Sequence, residues 1–310
     1  MDISVVIPLY NKRETILQTL ESILNQRIKP FEVVVVNDGS TDGSEQLVED
    51  LDHPLVRLIS QPNGGVSSAR NKGIEVSLGD WIAFLDADDE WFPDYLETIK
   101  KLNSDYPEAK VLGTAYLLQD YKGNRKRIKL NKIPFHGEEG ILNKYFEVAS
   151  CSHPPLWTSA VVVKKEALLA VEGFPVGIKS GEDLLTWARL AVRNRIAYNR
   201  QPHSVYVLDQ SHEISQPPGR LHDLHDFIGQ ELINLASKYG DKSIKKYISH
   251  WYKMRTSVFV RIYDRKNAFR YSIKALKYNI FNSKIYLFIV FAFVPRFLQN
   301  VIKRTYKGLS

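Results

Sequence analysis

The chain has 310 residues, 44% hydrophobic and 25% charged, the make-up of an ordinary globular protein with enough length to bury a sizeable core. Cys151 is its one cysteine, which excludes an intramolecular disulfide and a thiolate metal cluster and suits a reducing cytoplasm. The net charge of +7 hides an asymmetry: residues 1–237 sum to about −8 and residues 238–310 to about +15, so a basic tail follows an acidic body and calls for an anionic partner.

The first residues, MDISVVIPLYN, lack a basic leader and a cleavage pattern, so they predict an opening strand over 3–8 and no secretion signal. Ile16, Leu17, Leu20, Ile23 and Leu24 then recur at helical spacing and predict a helix over 14–26. A β-branched run at 31–36 predicts a second strand. The turn residues Asn37 to Gly43 after it supply an N-cap for a helix over 44–51. A third strand is expected at 56–60, a loop at 61–65, a helix at 67–77 and a fourth strand at 81–85, which is apolar throughout and therefore covered on both faces. This order predicts an α/β fold with a mostly parallel central sheet flanked by helices, and ligands gathering beyond the C-terminal ends of the strands.

Two of those ends carry acids. Asp38 follows the second strand, and Asp86, Asp88 and Asp89 follow the fourth. If the chain stays extended, Asp86 and Asp88 project to one side and Asp89 to the other. Two carboxylates sharing a small space form a seat for a hard divalent ion, or else a solvated acidic turn capping the next helix. Neither the Gly-x-Gly-x-x-Gly turn of a dinucleotide site nor a P-loop is present. Tyr10 instead offers a ring for a base to stack on and Asp38 an acceptor for a base N–H, the features of a single nucleotide held by its base.

Five motifs stand in register over roughly residues 2–210: Val5 to Asn11 (VVIPLYN), Val36 to Asp42 (VNDGSTD), Ser68 to Gly73 (SARNKG), Phe84 to Asp89 (FLDADD) and Gly181-Glu182-Asp183. Together they resemble the family 2 glycosyltransferases, enzymes of the GT-A fold, a Rossmann-like nucleotide-sugar-binding domain. The resemblance implies that Pro8, Tyr10 and Asp38 surround the base of a nucleotide sugar, most often a UDP-sugar, with Arg70 nearby. It further implies that Asp86 meets the ribose, Asp88 holds Mn2+ or Mg2+, and Asp183 is the base of an inverting transfer. Sugar transfer requires a neutralised leaving diphosphate and a deprotonated acceptor hydroxyl. Asp183, in the first turn of a helix with the apolar stripe Leu184, Trp187, Ala188 and Ala191, fits the second need; it also fits a plain helix cap.

Residues 111–163 are expected to supply acceptor-side strands. Trp157 and His153 read there as a buried aromatic and a loop histidine, either of which could line an acceptor groove. Relatives carry an Arg and a His near the end of the domain, where this chain has Tyr206 to His212 at altered spacing. The expected division is a catalytic domain over 1–220 and a basic helical extension over 221–310. In the extension, Leu224, Phe227, Ile228, Leu232 and Leu235 mark one helix, and Phe269, Ile273, Leu276 and Ile280 a later one that packs on the body. Residues 285–294 are ten consecutive apolar or aromatic positions flanked by Lys284, Arg296, Lys303, Arg304 and Lys307. A bilayer span takes about 20 residues, so this segment is expected to lie in the interface of an anionic membrane or to serve as a core helix. No nucleic-acid-binding module is present.

The sequence thus points to a metal-dependent inverting glycosyltransferase acting on a glycan or lipid-linked acceptor. By the resemblance it would work in bacterial surface polysaccharide synthesis, in the cytoplasm and peripheral on the inner face of the cell membrane. The alternatives are a sugar nucleotidyltransferase, which lacks its Gly-rich phosphate loop here, and a catalytically silent nucleotide-sugar-binding partner, which the intact Asp86, Asp88 and Asp183 oppose.

Overall fold

The computed structural model describes residues 1–208 and 225–295. His212, Leu224, Arg296, Lys303, Arg304 and Lys307 lie outside these described residues. The first half alternates as expected: β1 (Ile3–Leu9), α1 (Ile16–Leu24), β2 (Glu32–Asn37), α2 (Ser44–Asp50), β3 (Val56–Ser60), α3 (Val66–Val76) and β4 (Trp81–Phe84). A short β5 (Glu90–Trp91) and α4 (Tyr95–Asp105) follow. Then come β6 (Ala109–Gln119), β7 (Arg125–Arg127), β8 (Glu139–Ile141), α5 (Tyr145–Ala149), β9 (Val161–Lys164), α6 (Lys165–Ala170), α7 (Glu182–Ala191) and β10 (Arg195–Val207). Four further helices close the described chain: α8 (Phe227–Tyr239), α9 (Lys242–Arg261), α10 (Arg265–Tyr278) and α11 (Ser283–Phe293).

The ten strands of the described residues form one sheet in the order β3-β2-β1-β4-β9-β6-β10-β5, with β7 on β6 and β8 on β10. The pairings β3-β2, β2-β1, β1-β4 and β6-β10 are parallel, and the shorter pairings are antiparallel. The fold is therefore the expected α/β one, with a helical C-terminal region. Because β1 lies between β2 and β4, the strand order reverses beside it. The ends of β1, β2 and β4 meet at this crevice, where sheets of this kind bind ligands.

Burial follows the sequence pattern. Val33 to Val36 and Ile82 to Leu85 are wholly inaccessible, as strands covered on both faces must be. One apolar cluster lies under α1, α2 and α4. A larger one joins β4, β6 and β9 to α5, α7 and the four C-terminal helices, so Trp251 and Tyr252 of α9 share a core with Leu185 and Trp187 of α7. On α10, by contrast, Phe269 and Ile273 face outward. The buried face is made by Ala268, Tyr271, Ser272 and Ala275, so the expectation that the larger apolar stripe packs on the body does not hold for those two residues, nor for Ile280, which is exposed beyond the end of the helix. Small residues are used because α10 lies along α9, where Tyr271 stacks on Phe259 with ring centroids 5.2 Å apart.

A tight helix-to-sheet approach falls within the SARNKG motif. A Cβ placed on Gly73 of α3 would stand 2.2 Å from Val6 Cγ1 on β1. Gly73→Ala should accordingly destabilise the protein by about 1–3 kcal/mol through overpacking, in spite of the better helix propensity of alanine. Urea denaturation checks this, and an unchanged or raised midpoint would refute it.

Candidate active site

Arg70 on α3 organises the crevice. Its guanidinium is buried; Nη2 donates to Asp86 Oδ1 at 2.7 Å, Nη1 lies 3.6 Å from Glu182 Oε1, and the group sits over the Phe174 ring at 5.2 Å. Asp86 follows β4 and Glu182 opens α7, so one cation ties a sheet end to a helix start. The two carboxylates outweigh the cost of burial and hold the guanidinium above its ordinary pKa. Arg70 therefore meets the site through Asp86, which keeps its other oxygen for a ligand. The motif containing Glu182 was visible in the sequence, but the role of Glu182 was not. Neighbouring helix positions point about 100° apart, and of the two Glu182 is buried against Arg70 while Asp183 keeps some exposure.

Asp183 stands beside this pair. Gly181, at φ 88°, turns the chain into α7, and Asp183 Oδ1 accepts from the Leu184 amide at 2.7 Å. Its carboxyl is pushed up to about 7 by removal from water and then by the charge of Glu182, while Arg70 pulls the other way. Gly181 holds the N-cap position of α7, and Asp183, two residues on, accepts from the Leu184 amide, one of the first-turn amides that have no partner within the helix.

The acids after β4 are not extended as expected. The strand ends at Phe84, and the Asp89 amide donates to the Asp86 carbonyl at 3.0 Å, closing a turn. Asp89 is turned inward and accepts from Ser159 Oγ at 2.5 Å and the Val207 amide at 3.0 Å. Burial, followed by the charges of Asp86 and Asp88, drives its carboxyl well above the usual range. Asp88 is turned outward and carries the Lys12 ammonium on Oδ2. Among the described residues no three His, Cys, Asp or Glu side chains converge on one point. A hard divalent ion that takes most of its ligands from phosphate and water needs only one or two carboxylates. The partly exposed Asp88, already facing a cation, fits that requirement.

At the neighbouring strand ends, Pro8 sits in β1 beside Val36, and the Tyr10 ring is about half exposed at the mouth of the crevice. Asp38 is buried. Its Oδ1 accepts from Gln61 Nε2 at 2.7 Å and from the Gly64 amide at 2.9 Å, and its Oδ2 from the Gly65 amide at 2.8 Å. A carboxylate has about four acceptor positions, so Asp38 fixes the loop before α3 and retains room for one more donor. Trp157 packs on Tyr206 with centroids 4.1 Å apart but is half-buried rather than buried as expected, and His153 lies in a loop with its Nδ1 accepting from the Lys129 amide at 3.0 Å.

The crevice thus lies at a sheet reversal, is walled by carboxylates and has the Tyr10 ring at its mouth, an arrangement of the α/β class that binds ligands at strand ends. Comparison with known proteins agrees. The profile described as Glycosyl transferase family 2 matches residues 4–164, just over half of the chain. The chain belongs to family 2 of the glycosyltransferases. An uncharacterized glycosyltransferase of Rickettsia bellii is 34% identical over 193 residues, covering 62% of this chain and 26% of that protein. Escherichia coli chondroitin synthase is 32% identical over 210 residues, 65% of this chain and 29% of the synthase. The chain thus spans little more than a quarter of the length of these relatives. Among solved structures, S. aureus TarS 1-349 superposes with a TM-score of 0.66 at 18% identity over all of this chain and 92% of that one, so the GT-A fold is shared.

Replacing Arg70 by alanine would leave Asp86 and Glu182 without their counter-charge in a largely dry site. A loss of about 3–5 kcal/mol in unfolding free energy is expected. Chemical denaturation measures it; a loss below about 1 kcal/mol, the scale of an exposed pair, would mean that the ion pair does not organise the crevice.

Proposed function

We propose that this chain transfers a sugar from a nucleotide sugar, UDP-linked, to a hydroxyl of a glycan or lipid-linked acceptor, with inversion, in cell-surface polysaccharide synthesis. The observation that carries this reading is Asp183: a carboxyl pushed up to about 7, at the start of α7 and beside the Arg70 and Asp86 pair. A base whose pKa lies near the working pH is suited to take a proton without being permanently saturated. The choice of UDP is supported by S. aureus TarS 1-349, a structural neighbour that has been crystallised in complex with UDP-GlcNAc.

On this reading Tyr10 stacks on the base and Asp38, with the loop that it seats, accepts a base N–H. Asp86, fixed by Arg70, receives a ribose hydroxyl. Asp183 accepts the proton of the acceptor hydroxyl as its oxygen attacks the anomeric carbon, and the bond from that carbon to the diphosphate breaks on the opposite face. Asp88 would hold Mn2+ or Mg2+, which supplies charge neutralisation to the leaving diphosphate when bound. We take residues 1–220 as the catalytic unit and 221–310 as its basic helical extension.

Asp183→Asn should keep UDP affinity within a few-fold while transfer falls by about a hundredfold or more, the scale of losing a general base. Because Asp183 acts ionised, wild-type kcat/KM should rise with pH through about 7 and then level. Transfer that persists in the variant, or a profile flat across that range, would remove Asp183 from the chemistry.

The extension supports peripheral membrane attachment at the cytoplasmic face. No helix among the described residues is long and apolar enough to cross a membrane. Phe269 and Ile273 on α10, Ile280 and Phe281 in the following turn, and Leu287, Val290 and Phe293 on α11 are all exposed, and the Phe269 and Phe293 rings meet edge to face at 6.2 Å. An apolar surface of this extent marks a docking face, and the net positive charge of the region suits anionic lipid. Leu287→Ser with Val290→Ser should therefore cut binding to phosphatidylglycerol vesicles by about tenfold or more. High salt should weaken but not abolish wild-type binding. Sedimentation with vesicles reads both, and undiminished binding by the double variant would refute the assignment.

A further inference from the structure

A cavity lies away from the crevice, where the end of α5, α9 and the turn between α10 and α11 meet. It encloses about 340 Å³ and is lined by Lys132, Lys246, Cys151, Glu147 and Phe281, among others. Lys253 adjoins it: its Nζ lies 3.2 Å from His250 Nδ1, which is itself 2.8 Å from the carbonyl of the lining residue Ser150. Lys284, at the start of α11, is close enough for its charge to act on both Lys253 and His250.

Two amines, Lys132 and Lys246, thus line the cavity with a single carboxylate, Glu147, and two more, Lys253 and Lys284, stand close behind it. Among the described residues none of Lys132, Lys246, Lys253 and Lys284 forms an ion pair, although lysines elsewhere on this chain do, such as Lys274 with Asp226 at 2.8 Å. Burial and then the charge of Lys284 hold the Lys253 amine below its ordinary pKa, a repulsion between these two that a nearby anion would relieve. His250 does not contribute charge near neutrality, because burial followed by Lys253 and Lys284 depresses its imidazole to about 4. At the rim, Phe281 is 91% exposed and leads onto the apolar face of α11.

We propose that this cavity binds the phosphate group of an amphiphile, the lysines meeting the phosphate oxygens while the apolar chain lies along Phe281 and α11. Lysine serves as a point charge for phosphate, and the adjoining hydrocarbon surface gives preference for a phosphate carried on a chain over a free one. The inference extends the lipid-linked acceptor and membrane reading above, but occupancy of the cavity can be measured without any sugar transfer.

Cys151 makes the test direct, because it is exposed, lines the cavity and is the only cysteine in the chain. The rate of its alkylation by iodoacetamide is measured with octyl phosphate below its micelle concentration, with inorganic phosphate and with octanol. UDP affinity is measured in parallel. Octyl phosphate at ten times its dissociation constant should slow alkylation about tenfold by mass action. Inorganic phosphate should protect only at much higher concentration and octanol not at all. Lys132→Gln with Lys246→Gln, both at exposed positions, should remove the protection and leave UDP affinity unchanged. Equal protection by inorganic and octyl phosphate would overturn the amphiphile in favour of a free anion. Protection by octanol, protection that survives the lysine changes, or no protection in a protein that still binds UDP would overturn the phosphate site itself.

Discussion

The crevice depends on one buried cation. Arg70 holds Asp86 from the end of β4 and Glu182 from the start of α7, elements nearly a hundred residues apart, and its buried guanidinium is shared between the two carboxylates. The guanidinium is planar and presents several donors, so it can face two acids at once, as a lysine ammonium of similar reach would do less well. Phe174 beneath it completes the lining and is itself fixed edge to face on Phe84 and Trp187. The same arrangement explains the unusual state of Asp183. Because the positive charge of Arg70 is largely taken up by Asp86 and Glu182, it only partly offsets the removal of Asp183 from water, and the carboxyl stays easy to protonate.

A second layer of support comes from loops that the strands position. Asp38 gathers Gln61, Gly64 and Gly65, and the last of these starts α3, the helix that carries Arg70. Asn11, held in the left-handed region at φ 51°, accepts from the Thr41 amide at 2.8 Å and so ties the end of β1 to the turn after β2. The Asp38 end and the Arg70 end of the crevice are therefore linked through the backbone of α3.

The first half of the fold was legible because its signals are local. Residues 3–85 alternate short β-branched runs with helical stripes, and each predicted element is present to within about two residues, the usual uncertainty of element ends. The crevice acids were legible for the same reason, since each closes a strand or opens a helix. What sequence could not supply was partnership across distance. Nothing near Lys12 marks it as the counter-ion of Asp88, and nothing near Asp89 marks it as the acid turned inward toward Ser159 and the Val207 amide. The outward stripe of α10 was misread because periodicity identifies an apolar face without saying which neighbour it meets.

The placement of β10 bears on where this protein can be divided. The strand comes from beyond residue 164, yet it lies between β6 and β5 and is hydrogen-bonded to both. A fragment limited to the segment that matches the family profile would leave the long β6 with a bare edge along its apolar length, a template for pairing with other chains. The segment matched by the family profile thus ends short of a strand that the sheet uses, and an expression boundary drawn at its end would favour aggregation.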